Sequence, residues 1–124
     1  MSKVKIKKVY YRKLIRDNIP RKMRRVGADF SCKILNKRTF LKELLKKVGE
    51  EASGLLNAKN RKGLIEELAD VVDVIEEIKR VKKISSADIK TIQKRNKKLK
   101  GGFRKRIFLI WSEDTGYKTN ERKY

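Results

Sequence analysis

The sequence predicts an all-α protein, a helical bundle with short extended segments at its N- and C-terminal ends, completed by dimerisation. Three observations lead there. Apolar residues recur at helical spacing through two long segments, residues 38–58 and 61–82. Asn and Ser residues stand where those helices and a third would need caps. The chain breakers, Pro20, Gly27 and the Gly101-Gly102 pair, fall between the periodic stretches. With 124 residues and 39% hydrophobic content, the chain suits one domain over residues 1–111, followed by a polar tail at 112–124.

Residues 9–19 alternate weakly and read as an extended lead-in, with Tyr10, Leu14 and Ile15 available for packing. Ile19-Pro20 opens a short helix through Val26, because proline suits the first helical turn; Gly27 stops it. Residues 30–35 read as a linker or short strand. The first long helix, 38–58, takes Asn36 or Thr39 as its cap and carries a stripe of Phe40, Leu41, Leu44, Leu45, Val48, Ala52, Leu55 and Leu56. Glu51 falls within that stripe, where an acid needs a partner. Asn60 caps the second, 61–82, whose apolar residues cover well over half the circumference. A helix buried on two sides suits a bundle that a second subunit completes. Ser85 or Ser86 opens a third helix to about Leu99, and residues 103–111 follow as a strand-like or extended segment.

Composition removes several mechanisms. The chain has no histidine, which excludes Ser-His-Asp and Cys-His hydrolysis, His-ligated zinc and imidazole acid–base chemistry. Cys32 is alone, so neither an intrachain disulfide nor a cysteine-based zinc site forms. No apolar run approaches the roughly 20 residues of a membrane span, and the N-terminus lacks a signal-peptide hydrophobic region. A cytoplasmic protein without membrane association is the expectation. The formal net charge of +21 points to anionic partners, nucleotides or nucleic acid, or else to a uniformly lysine-rich surface.

Against this charge stands an acidic island. Residues 50–78 carry 8 acidic and 3 basic side chains, whereas residues 1–49 carry 3 and 17, and residues 79–124 carry 4 and 16. Glu66, Asp70, Asp73 and Glu77 form one row of the second long helix, with Glu67 on its border. Glu67 and Asp70, three residues apart, share a face, and an antiparallel neighbour would bring Glu51 opposite them. Such a cluster is an adequate shell for Mg²⁺ or Mn²⁺; it is equally an ordinary face, solvated or paired with lysines. Eight Lys or Arg and no acid lie between Lys94 and Arg106, a run suited to phosphates, to a nucleic-acid backbone or to plain solvation.

The segment KVGEEASGLLNAKNRKGLIEELADVVDVIEEI resembles the MazG-like, all-α nucleotide pyrophosphohydrolase superfamily. That pattern is two Glu, two spacers and a third Glu, then, after a dozen or more residues, Glu-x-x-Asp. Glu50 and Glu51 match its start; Glu67 and Asp70 match its end. YRKLIRDNIP and LKGGFRKRIFLIW resemble the opening and the Gly-Gly-Phe ending of the phosphoribosyl-ATP pyrophosphohydrolase-like branch. The similarity covers roughly residues 10–111.

The resemblance implies a homodimer or higher homo-oligomer that binds Mg²⁺ and hydrolyses a nucleoside triphosphate to the monophosphate and pyrophosphate. It implies Glu51, Glu67 and Asp70 as metal ligands, with Glu50 an auxiliary ligand or base. Lys13, Arg16, Arg95 and Lys100 are its candidate phosphate contacts. Two positions depart from the pattern. The third Glu of the first motif falls on Gly54, leaving Asp73 or water to fill the shell, and Arg12 stands where the pattern commonly has Asn. The alternative expectation is an impaired relative that binds nucleotide or nucleic acid through its basic ends.

Overall fold

The computed structural model describes residues 7–114, and within them every regular element is a helix. These are α1 (Ile19–Arg25), α2 (Lys37–Gly54), α3 (Arg61–Lys82) and α4 (Ser86–Lys100), with a 3₁₀ turn, Leu55–Asn57, closing α2. The described chain is therefore all-α, as its periodicity implies. No described helix is long and apolar enough to cross a membrane. The chain divides into two compact units, Met1–Ser85 and Ser86–Tyr124.

In the first unit, α1 begins at Ile19 with Pro20 in its first turn. It ends through Gly27 at φ +73°, a left-handed conformation that glycine adopts without a Cβ penalty. Gly27 N–H bonds to Arg24 O at 3.0 Å and Ala28 N–H to Met23 O at 3.0 Å, satisfying carbonyls the helix leaves open. Residues 30–35 form a linker without regular structure. Asn36, not Thr39, caps α2, its side chain accepting from Thr39 N–H at 2.9 Å.

The α-helical geometry of α2 stops at Gly54, short of the expected Ala58, and tightens into the 3₁₀ turn. Asn60, extended at φ −150° and ψ 174°, then starts α3 by accepting from Gly63 N–H at 2.8 Å. The short connection folds α3 back onto α2, and the two pack as a helical hairpin. Lys83 ends α3 in the left-handed region at φ +55°, with Ile84 N–H on Lys79 O at 2.9 Å.

The hairpin encloses little. Leu44 is the one buried hydrophobic residue among those described. Two members of the expected α2 stripe, Leu45 and Leu56, face outward, because the packed arc is narrower than the apolar arc. On α3, Leu64, Ile65, Leu68, Val72 and Ile75 are all exposed. The breadth of apolar surface read from the sequence is real, and this hairpin covers only part of it.

The second unit comprises α4 and the segment after it. Its helix starts at Ser86 and terminates at Gly101, φ +80°, with Gly101 N–H on Lys97 O at 2.9 Å. Residues 107–114 contain no strand, contrary to the strand-like option, and Phe103, Phe108 and Trp111 are exposed. The polar tail expected from 112 lies, beyond residue 114, outside the described residues.

Candidate metal centre

Two helices build the site. Glu51 sits one turn before the end of α2, while Glu67 and Asp70 stand one turn apart in the first half of α3. The hairpin brings one carboxylate oxygen from each within 4.8 Å of the others, and all three residues are half-buried. At that separation each pair of charges repels by roughly 1 kcal/mol at the dielectric of water, and several times more at the effective dielectric of a protein surface. An arrangement of this kind needs positive charge.

Two of the three have some. Lys47, one turn earlier on α2, places Nζ 3.4 Å from Glu51 Oε1 and 3.3 Å from Glu50 Oε2. Its side chain is only 17% exposed, so its stem covers the hairpin while its head serves the acids. Lys47 lies outside the residues that the sequence motifs single out; its place four residues before Glu51 is the one signal of its role. Lys47 also supplies the partner that Glu51 needs within an apolar stripe. Glu50 shares Lys47 with Glu51 and is not among the converging oxygens.

Arg16 reaches α3 from the segment before α1. Its Nη2 lies 2.9 Å from Asp70 Oδ1 and 2.8 Å from Asp73 Oδ2. The hydrogen bond to Asp73, more than that to Asp70, holds the guanidinium pKa above its ordinary value. Arg16, a candidate for substrate phosphate, is thus engaged with carboxylates. Asp73, a candidate to complete the metal shell, is turned to Arg16 and stands outside the three converging oxygens. The reason is helical: Asp73 lies a further turn from Glu51.

Glu67 is different. Among the described residues no hydrogen bond or ion pair joins its carboxylate. It leans against Gly54, so that a Cβ at position 54 would stand 2.5 Å from Oε2, 3.0 Å from Cδ and 3.4 Å from Oε1. The space of the absent side chain is filled by this carboxylate.

The remaining acids behave as an ordinary face. Glu77 pairs with Arg80, Nε to Oε1 at 2.8 Å, and Glu76 with Lys79 at 3.2 Å. Glu66 is exposed and lines a shallow depression with Arg61, Lys62 and Ile65. The 66/70/73/77 row is therefore no ligand set, and the group that converges cuts across it. The other phosphate candidates are exposed: Lys13 has Nζ 5.4 Å from the Tyr11 ring centroid, and Arg95 and Lys100 lie on α4 in the second unit.

The donor set suits a hard divalent cation. Octahedral Mg²⁺ places neighbouring oxygens about 3 Å apart and opposite ones about 4.2 Å apart, given Mg–O bonds near 2.1 Å. The three carboxylate oxygens, within 4.8 Å of one another, stand close to that range. Oxygen donors without His or Cys favour Mg²⁺ or Mn²⁺ over softer metals. No family model, curated protein or solved structure matches this chain.

Proposed function

We propose that this chain is a Mg²⁺-dependent nucleotide pyrophosphohydrolase of the MazG-like, phosphoribosyl-ATP pyrophosphohydrolase-like type, with Mn²⁺ as an alternative ion. The observation that carries the reading is the convergence of Glu51, Glu67 and Asp70 within 4.8 Å, with Glu67 lacking any cation partner among the described residues. Water adds to the α-phosphorus of a nucleoside triphosphate, the bond to the α–β bridging oxygen breaks, and nucleoside monophosphate and pyrophosphate leave. The bound ion supplies charge neutralisation and polarises the phosphate. Glu51, Glu67 and Asp70 hold it; Lys47 and Arg16 orient Glu51 and Asp70 as outer partners of the kind that tune ligands. Glu50, paired with Lys47 beside the triad, is the auxiliary ligand or base. Lys13, in the same unit as the triad, serves the substrate phosphates.

The protein acts as a homodimer or higher homo-oligomer in the cytoplasm. The exposed apolar residues of α3 support self-association, since Leu64, Ile65, Leu68, Val72 and Ile75 remain uncovered by the hairpin.

The test is pyrophosphate release from a panel of standard and damaged nucleoside triphosphates with Mg²⁺, for the wild type and Glu67→Gln. Release by the wild type, falling roughly 100-fold or more in the variant, is expected, since even changes to the groups behind a ligand cost about 10–100-fold. A folded protein that releases no pyrophosphate from any of them overturns the reading.

A second reading has its own observation. All eight Lys and Arg between Lys94 and Arg106 are exposed in the second unit. That segment suits a nucleic-acid backbone, and binding through it would weaken steeply with added salt. Affinity indifferent to salt counts against it.

A further inference from the structure

We propose that Gly54 is a positioning residue of the cation centre, providing the space in which Glu67 turns its carboxylate towards Glu51 and Asp70. The inference rests on the reading of those three acids as a divalent-cation site. Compared with the Glu-rich pattern, Gly54 is a lost ligand. The geometry assigns it a different part.

Gly54 is the last residue of α2, at φ −63° and ψ −24°, a conformation open to any amino acid. Backbone freedom therefore does not require glycine here. Replacing glycine by alanine where the backbone already suits it gains about 0.4–1 kcal/mol by restricting the unfolded chain, so local stability favours replacing it. What requires it is the neighbour. A Cβ at 54 would lie 2.5 Å from Glu67 Oε2, well inside van der Waals contact. Backbone atoms are not among the close neighbours; all three are the far end of one flexible side chain. Adding a side chain consequently displaces the Glu67 carboxylate and leaves the hairpin intact.

Gly49 supplies the internal control. It lies on the same helix, and a Cβ there meets nothing within 4 Å. Alanine at either glycine restricts the unfolded chain in the same way, while only alanine at 54 touches Glu67. The proposal thus predicts opposite signs for fold and binding at one position: a protein as stable or more so, with a weaker cation site.

The experiment measures Mn²⁺ affinity by titration calorimetry, with thermal melts of the cation-free proteins, for wild type, Gly49→Ala, Gly54→Ala, Glu67→Ala and the Gly54→Ala/Glu67→Ala double variant. Expected are wild-type affinity in Gly49→Ala and a loss of about 10-fold or more in Gly54→Ala, the size of a ligand-orienting effect. Without the Glu67 carboxylate, Gly54→Ala should cost nothing further, so the double variant matches Glu67→Ala. Unchanged affinity in Gly54→Ala, or losses that add in the double variant, overturns the role of Gly54 while the cation site stands. If Gly54→Ala does not fold, the Glu67→Ala pair still decides, because there the obstructing carboxylate is gone. A wild type that binds no Mn²⁺ overturns the centre itself, and with it the role of Gly54.

Discussion

Arg16 and Asp73 meet at 2.8 Å, and the same guanidinium nitrogen lies 2.9 Å from Asp70, so a residue ahead of α1 is fastened to the middle of α3. This contact spans 54 residues of sequence to Asp70. It ties the N-terminal segment to the hairpin and sets a positive charge against Asp70. Because the partners are substantially exposed, the linkage is positional more than energetic.

Arg16→Ala should therefore destabilise the protein by no more than about 1 kcal/mol in urea unfolding. The deficit should shrink as salt screens the pairs in the wild type. A loss that is large and insensitive to salt would show that Arg16 packs and does not merely pair.

Charge repulsion in the triad makes a prediction about the protein without metal. Glu67→Gln removes a carboxylate that has no cation partner among the described residues, so in EDTA the variant should be more stable than wild type, by up to roughly 1 kcal/mol. Glu51→Gln also removes the Lys47 pair and should gain less. Added Mg²⁺ should raise the melting temperature of the wild type, as binding to the native state does, and leave Glu67→Gln unmoved. Parallel melts with and without Mg²⁺ read both effects.

Gly54→Glu brings a fourth carboxylate to the centre and forces Glu67 aside. In EDTA it should lower stability relative to Gly54→Ala by about 1 kcal/mol or more, from like charges a few ångströms apart. Mg²⁺ should recover most of that difference. Equal stability of the two variants in EDTA would mean that the new carboxylate avoids the triad.

The helix starts can be tested separately from the site. Asn36→Ala and Asn60→Ala each remove a side chain that accepts a backbone N–H, and each should cost about 1 kcal/mol. Asn60→Gly should cost only a few tenths. Urea unfolding at matched pH compares the three.

Lys83 ends α3 at φ +55°, a conformation that favours glycine. Lys83→Gly should stabilise the protein by roughly 0.5–1 kcal/mol without altering cation binding.

The order of the helices is legible from the sequence because the signals are local. The caps at Asn36 and Asn60, the breaks at Gly27 and Gly101, and the span of α3 rest on contacts within about five residues. The pairing of Glu67 with Asp70 is equally local, since residues three apart on a helix must share a face. The end of α2 is less legible: apolar periodicity continues through Leu55 and Leu56, whereas the backbone tightens at Gly54 to turn the chain.

Which acids converge is set by the packing of the helices. Glu51 joins Glu67 and Asp70 because the register and rotation of α2 against α3 set them opposite, and helical periodicity encodes neither quantity. For the same reason Asp73 goes to Arg16, and the empty side of Gly54 receives Glu67. The sequence by itself determined that acids would gather on two consecutive helices. The packing of those helices divided them into a converging triad and an ion-paired face, because distance across a helix pair depends on the tertiary fit and not on spacing along either chain segment.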